Sequence, residues 1–101
     1  MIPIEKVKDI IIKHDALEKE LSLGNVEPKL FAEKSKEYSN LGNIISIARE
    51  YVGFENEKKD LEQILQDKTN DLEMTEMAEK DLNEMKIKKE KYENKLKIFL
   101  L

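Results

Sequence analysis

Cysteine is absent from this 101-residue sequence. That removes disulfides, thiolate zinc sites and cysteine nucleophiles together, and it fits a reducing compartment. Tryptophan is also absent, aromatic residues make up 6% of the chain, and there are only three glycines and two prolines, a poor supply for the many turns of a sandwich or barrel. Long apolar runs are missing as well. Runs such as Ile10 to Ile12 are too short for a signal peptide or a bilayer span, so the expectation is a soluble, cytoplasmic chain with no membrane partner. A surplus of positive charge is the last thing lacking: 18 basic residues face 22 acidic ones, for a net charge of −4. A domain that coats nucleic acid needs such a surplus on at least one face.

What the sequence does have is charge, at 40% of its residues, arranged with helical periodicity. The size suits a single domain with one modest core. The spacing predicts an all-α fold: an antiparallel three-helix bundle with a long coiled-coil-like hairpin, its helices spanning about 3–23, 28–67 and 71–100. The central stretch organises the rest. Phe31, Tyr38, Ile45 and Val52 recur every seven residues with Leu41 and Ala48 between them, the seam of a packed amphipathic helix. Gly42 and Gly53 interrupt it only in propensity, each costing about 1 kcal/mol relative to alanine. Because the heptad phase survives both, one continuous helix is expected, with the small residues letting a neighbour approach.

The flanking helices follow the same logic. Pro3 suits an opening turn, since its missing N–H has no intrahelical partner there. Val7, Ile10, Ile11, His14, Leu17 and Leu21 then share one face. Gly24 stands where a left-handed terminating residue is wanted, Asn25 offers a cap, and Gly24–Glu27 reads as a tight turn. Near residue 70, Asn70 or Asp71 serves as the next N-cap, and Asn70 with Glu73 has capping-box spacing. Ala78, Leu82, Met85, Tyr92, Leu96 and Phe99 form the last seam. Acidic residues gather at the start of that helix and lysines at its end, which complements the helix dipole. At 1.5 Å per residue the three helices would measure about 30, 60 and 45 Å. Helix one then covers only part of the hairpin, leaving residues from about 53 to 80 as a thinner two-helix arm. The expected core comprises Phe31, Tyr38, Leu41, Ile45, Leu82, Tyr92 and Leu96.

No constellation for catalysis emerges. His14 is the single histidine and falls on an apolar seam, where a half-buried structural role is expected. Ser35 and Ser39 have no base placed to activate them, and the carboxylates alternate with lysines on exposed faces rather than facing each other across a cleft. There is no glycine-rich phosphate loop. Catalytic, cofactor and metal sites are therefore all expected to be absent, as is a small-molecule substrate. Partner binding is the remaining class. Leu72, Met74 and Met77 are apolar groups that a two-helix arm cannot fully bury, and thioethers make adaptable contacts. Lys86, Lys88 and Lys89 form a basic run that could contact phosphate.

Two stretches resemble a known family. Asp71-Leu-Glu-Met-Thr-Glu-Met-Ala-Glu-Lys-Asp-Leu82 is similar to a segment of bacterial class I peptide chain release factors that usually reads Asp-Pro-Glu-Met/Leu and, after a short gap, Glu-Met-Ala, an acidic residue and Leu. Phe31-Ala-Glu-Lys-Ser-Lys-Glu-Tyr-Ser-Asn-Leu41 resembles that family's Ser-Arg/Lys-Glu-Tyr-x-x-Leu helix. The spacing between them agrees, and the Gly24 turn and the Lys95–Leu101 stretch extend the likeness over essentially the whole chain. It is closer to the first of the family's two sister factors than to the second. Leu72 departs from the usual proline. The resemblance implies the N-terminal helical domain of such a factor, one that helps position it near the stalk base of the large ribosomal subunit. It further implies a glutamine methyltransferase and a recycling GTPase as partners. The family's Gly-Gly-Gln loop and stop-codon tripeptide, with the catalytic and codon-reading domains that carry them, would lie beyond residue 101. A coiled-coil adaptor or chaperone unrelated to translation is the rival reading; a transfer-RNA-binding arm is disfavoured by the negative charge.

Overall fold

The structure, a computed structural model, describes residues 2–101, which form four helices and no strand: α1 (Ile4–Leu23), α2 (Pro28–Gly42), α3 (Ile45–Gln66) and α4 (Leu72–Leu100). The all-α class follows from the sequence as expected, and so does the first turn. Gly24 adopts φ 69°, ψ 19°, a left-handed conformation that glycine reaches without the steric cost a Cβ would bring. Pro28 opens α2, and its cap is the backbone carbonyl of Glu27, which accepts from the N–H groups of Leu30 and Phe31 at 2.9 and 3.0 Å. Asn25 is not the cap. Proline at the first helical position already supplies the φ that the turn requires.

The expected single helix over 28–67 is broken. After Gly42 the hydrogen-bond ladder shortens: Asn43 N–H donates to Asn40 O at 3.2 Å and Ile44 N–H to Leu41 O at 3.1 Å, before Ala48 N–H to Ile44 O restores the α pattern at 2.9 Å. Ile44 leaves helical geometry, at φ −120° and ψ −9°. Two steps of 3-10 winding turn the chain by about 120° each instead of 100°, adding roughly 40° to the phase. Ile44 and Tyr51 come round to the face that Ile45 and Val52 would have held. Ile44 is 5% exposed, whereas Ile45 and Val52 are only half-buried. Glycine at 42 is about 1 kcal/mol poorer than alanine in a helix interior and asparagine at 43 is also a weak helix former, so a break there forfeits little, whereas burying one isoleucine gains about 1.5–3 kcal/mol. The break wins. No neighbouring helix approaches Gly42 or Gly53; a Cβ built at either would meet nothing within 4 Å. The bundle therefore has four helices where three were expected.

α1 runs antiparallel to α2 and continues along the first part of α3, while α4 returns antiparallel to α3. The result is a rod of 61 × 28 × 19 Å in which α1, α3 and α4 meet at a waist. Val7, Ile10, Ile44, Ala48, Tyr51, Phe54, Met85 and Leu96 form its core, with Phe54 and Tyr92 stacked at 5.9 Å. Two-helix hairpins project from both sides of this waist, not from one side only. The α1–α2 end is braced by Lys34 to Glu20 and by the Tyr38 hydroxyl donating to Glu18 at 2.8 Å. Of the expected core, Leu41 and Leu96 are buried, Tyr38, Ile45, Leu82 and Tyr92 are half-buried, and Phe31 is 53% exposed. Phe31 fails because it lies in the first turn of α2, beyond the waist, with only the end of α1 as neighbour.

Candidate docking surfaces

The turn at the far end of the α3–α4 hairpin is built from side-chain bonds to backbone. Asp67 accepts from both the N–H and the hydroxyl of Thr69, at 2.9 and 2.6 Å, which holds its carboxyl below the usual range. Asn70 turns back and donates through Nδ2 to the carbonyl of Ile64 at 2.9 Å. It closes the helix behind it instead of opening the one ahead. The capping box expected from Asn70 and Glu73 does not form; Asp71 is the cap, accepting from Met74 N–H at 2.8 Å. A carboxylate there satisfies an orphan donor and complements the positive end of the helix dipole.

This fixed turn presents Leu72, Met74 and Met77, which are 73%, 46% and 61% exposed. The three sit in the first two turns of α4, where α3 has already ended or is ending. The lysines named with them do not join that patch. Lys86 is exposed further along α4. Lys88 is turned to α3, 3.4 Å from Glu50 and with its ammonium 5.5 Å above the Tyr92 ring. Its hydrogen bond to Glu50 raises its pKa, and that carboxyl, bonded by Tyr92 and Lys88, is held low. Lys89 is half-buried beside a groove of about 520 Å³ whose walls include Ile2, Pro3, Tyr51, Val52 and Phe54. Three consecutive-looking lysines thus point in three directions.

Sequence reasoning missed a second apolar tip. At the α1–α2 turn, Leu23, Leu30 and Phe31 are 61%, 38% and 53% exposed. Proximity to the turn was the available signal, since all three lie within one helical turn of it. His14, by contrast, is structural: it is 7% exposed, donates through Nδ1 to Asp15 at 2.9 Å and lies 5.0 Å from the Tyr38 ring. Asp15 also pairs with Arg49 of α3, and these two bonds depress its pKa. Among the described residues no group of three or more His, Cys, Asp or Glu is placed to hold a metal ion, and no helix is long and apolar enough to cross a membrane.

The family model described as the PCRF domain matches residues 10–101. The chain belongs to the PCRF-domain family. It is similar to peptide chain release factor 1 of Pelagibacter ubique, 56% identical over 101 residues that cover all of this chain and 28% of that protein. It is also similar to peptide chain release factor 1 of Streptococcus agalactiae, 40% identical over 75 residues covering 74% of this chain and 21% of that one. The chain therefore spans about a quarter of the length of the curated relatives it matches. No solved structure matches it. The expected membership in the release-factor family stands, and the PCRF domain is seen here as a bent, four-helix rod with exposed apolar groups at both ends.

Proposed function

We propose that this PCRF domain is the N-terminal accessory domain of a translation termination factor. It helps hold the factor on the ribosome, near the base of the large-subunit stalk, and carries no peptide-release chemistry itself. The observation that carries the reading is the family match together with 56% identity across the whole chain to a peptide chain release factor 1. The shape supports it. A rod 61 Å long whose hairpin end exposes Leu72, Met74 and Met77 is suited to bridging and docking. The release-factor glutamine methyltransferase and the recycling GTPase are further partners on the same reading.

Peptide release driven by an intact release factor provides the test, with this chain added in excess, alone and as a Met74→Glu, Met77→Glu variant. The chain by itself gives no release and inhibits weakly, because a detached domain loses the effective concentration that linkage provides. The variant loses the inhibition. Release by the chain alone would overturn the reading; equal inhibition by the variant would remove the hairpin tip as the docking surface.

A further inference from the structure

The outer face of α4 carries a second surface, separate from the hairpin tip. Ile87 and Ile98 are 72% and 71% exposed, more than any buried-seam residue of that helix and as much as its lysines would be expected to be. At about 100° per residue, Lys91, Lys95 and Ile98 lie within roughly 80° of Ile87 around the helix. That arc is nearly opposite Ala78, Met85 and Leu96, which α4 buries. Lys91 and Lys95 are exposed, and among the described residues neither has a carboxylate in ion-pairing range, whereas Lys88 and Lys97 are engaged with Glu50 and Glu93. The two isoleucines stand about 16 Å apart along the axis, close to three helical turns, with the two free ammonium groups between them.

We propose that this stripe is a docking face for an acidic amphipathic helix of a partner protein. Apolar residues three turns apart on that helix would cover Ile87 and Ile98, and Asp or Glu beside them would meet Lys91 and Lys95. Charge complementarity chooses this occupant. The chain is acidic overall, at −4, yet this stripe holds no carboxylate between residues 87 and 98; Glu84 precedes it and Glu90 lies to one side. A nucleic acid is the poorer fit, because phosphates would gain two ammonium contacts while both isoleucines faced a charged surface. A second copy of the chain is poorer too. A two-fold pairing that sets Ile87 against Ile98 also brings the two Lys91–Lys95 pairs together, and like charges at that range repel.

The probe is a synthetic 18-residue helical peptide with leucines on one face and glutamates flanking them. A peptide with the same leucines and lysines for glutamates serves as control, and a short RNA duplex as the competing class. Amide chemical shifts of the labelled chain report where each binds. Saturable shifts confined to residues 87–98 are expected with the acidic peptide only. Ile87→Ser with Ile98→Ser should weaken binding roughly tenfold or more, since two well-exposed side chains lose apolar contact without disturbing the core. Lys91→Glu with Lys95→Glu should switch the preference to the lysine peptide. Thermal melts of both variants matching the parent would show that the fold is intact. Binding of the acidic peptide that ignores the isoleucines overturns the proposal, as does RNA binding to the same residues in preference to it. Concentration-dependent shifts at 87–98 without any peptide would assign the face to self-association instead.

Discussion

Replacing Ile44 and Ile45 by alanine, one at a time, decides whether the helix breaks after Gly42. Ile44 is 5% exposed; truncation removes three carbons, worth about 0.8 kcal/mol each in transfer free energy. A residual cavity adds to that, so the loss should be about 3 kcal/mol, within the range of about 2–5 seen for buried isoleucine to alanine changes. Ile45 is half-buried at the start of α3. Its transfer loss is smaller, water can fill the gap, and alanine gains helix propensity there, leaving a cost of about 1 kcal/mol on the same scale. Urea melts followed by circular dichroism provide the assay. With an m-value of about 1–3 kcal/mol/M for a small domain, the Ile44→Ala midpoint should fall by roughly 1–3 M, well beyond that of Ile45→Ala. An unbroken helix from Pro28 would keep the seven-residue seam and reverse the order. If Ile45→Ala is the more damaging change, the phase shift argued for residues 43 and 44 is wrong.

Two further tests follow from the ends of the helices and from charge. Asp71→Ala removes the acceptor for Met74 N–H and should cost about 0.5–2 kcal/mol, with hydrogen exchange speeding up in the first turn of α4 and not at the waist. Asp15 has its pKa lowered in the folded state by Arg49 first and His14 second; a depressed carboxyl contributes stability that is present above its unfolded value of about 3.9 and lost as pH falls through the folded one. Stability measured from about pH 5 downwards should therefore drop less steeply in Asp15→Asn than in the parent, and equal slopes would refute the role given to the Arg49–Asp15 pair.

The helical class and the first turn were legible because each depends on local chemistry. Gly24 is left-handed and Pro28 begins a helix wherever they meet the right neighbours, and the seam Val7, Ile10, His14, Leu17 buries the face its spacing describes. The break was not legible from the glycines, since Gly42 and Gly53 have the same propensity. Their surroundings differ. After Gly53 comes Phe54, already buried in helical register and stacked on Tyr92, so continuing the helix costs no apolar contact. After Gly42 and Asn43 comes Ile44, which reaches the core only if the winding tightens. Which α1 and α4 residues stand waiting for it is tertiary information, and a heptad count along one helix does not contain it.

The candidate surfaces divide along the same line. The exposure of Leu72, Met74 and Met77 was legible because a two-helix arm has too little inner surface for all the apolar groups at its tip, an argument from lengths alone. The lysine run does not form one face, because adjacency in sequence is not adjacency on a helix. Lys86 and Lys88 are about 200° apart around α4, and Ile87 lies between them in the chain but on a face of its own. Once Glu50 and Tyr92 engage Lys88 and the groove beside Val52 takes Lys89, the exposed lysines left on the Ile87 side of the helix are Lys91 and Lys95, four and eight residues beyond it. A charge run marks which helix is basic. The surface a partner would meet is set by which of those charges the rest of the fold leaves unpaired.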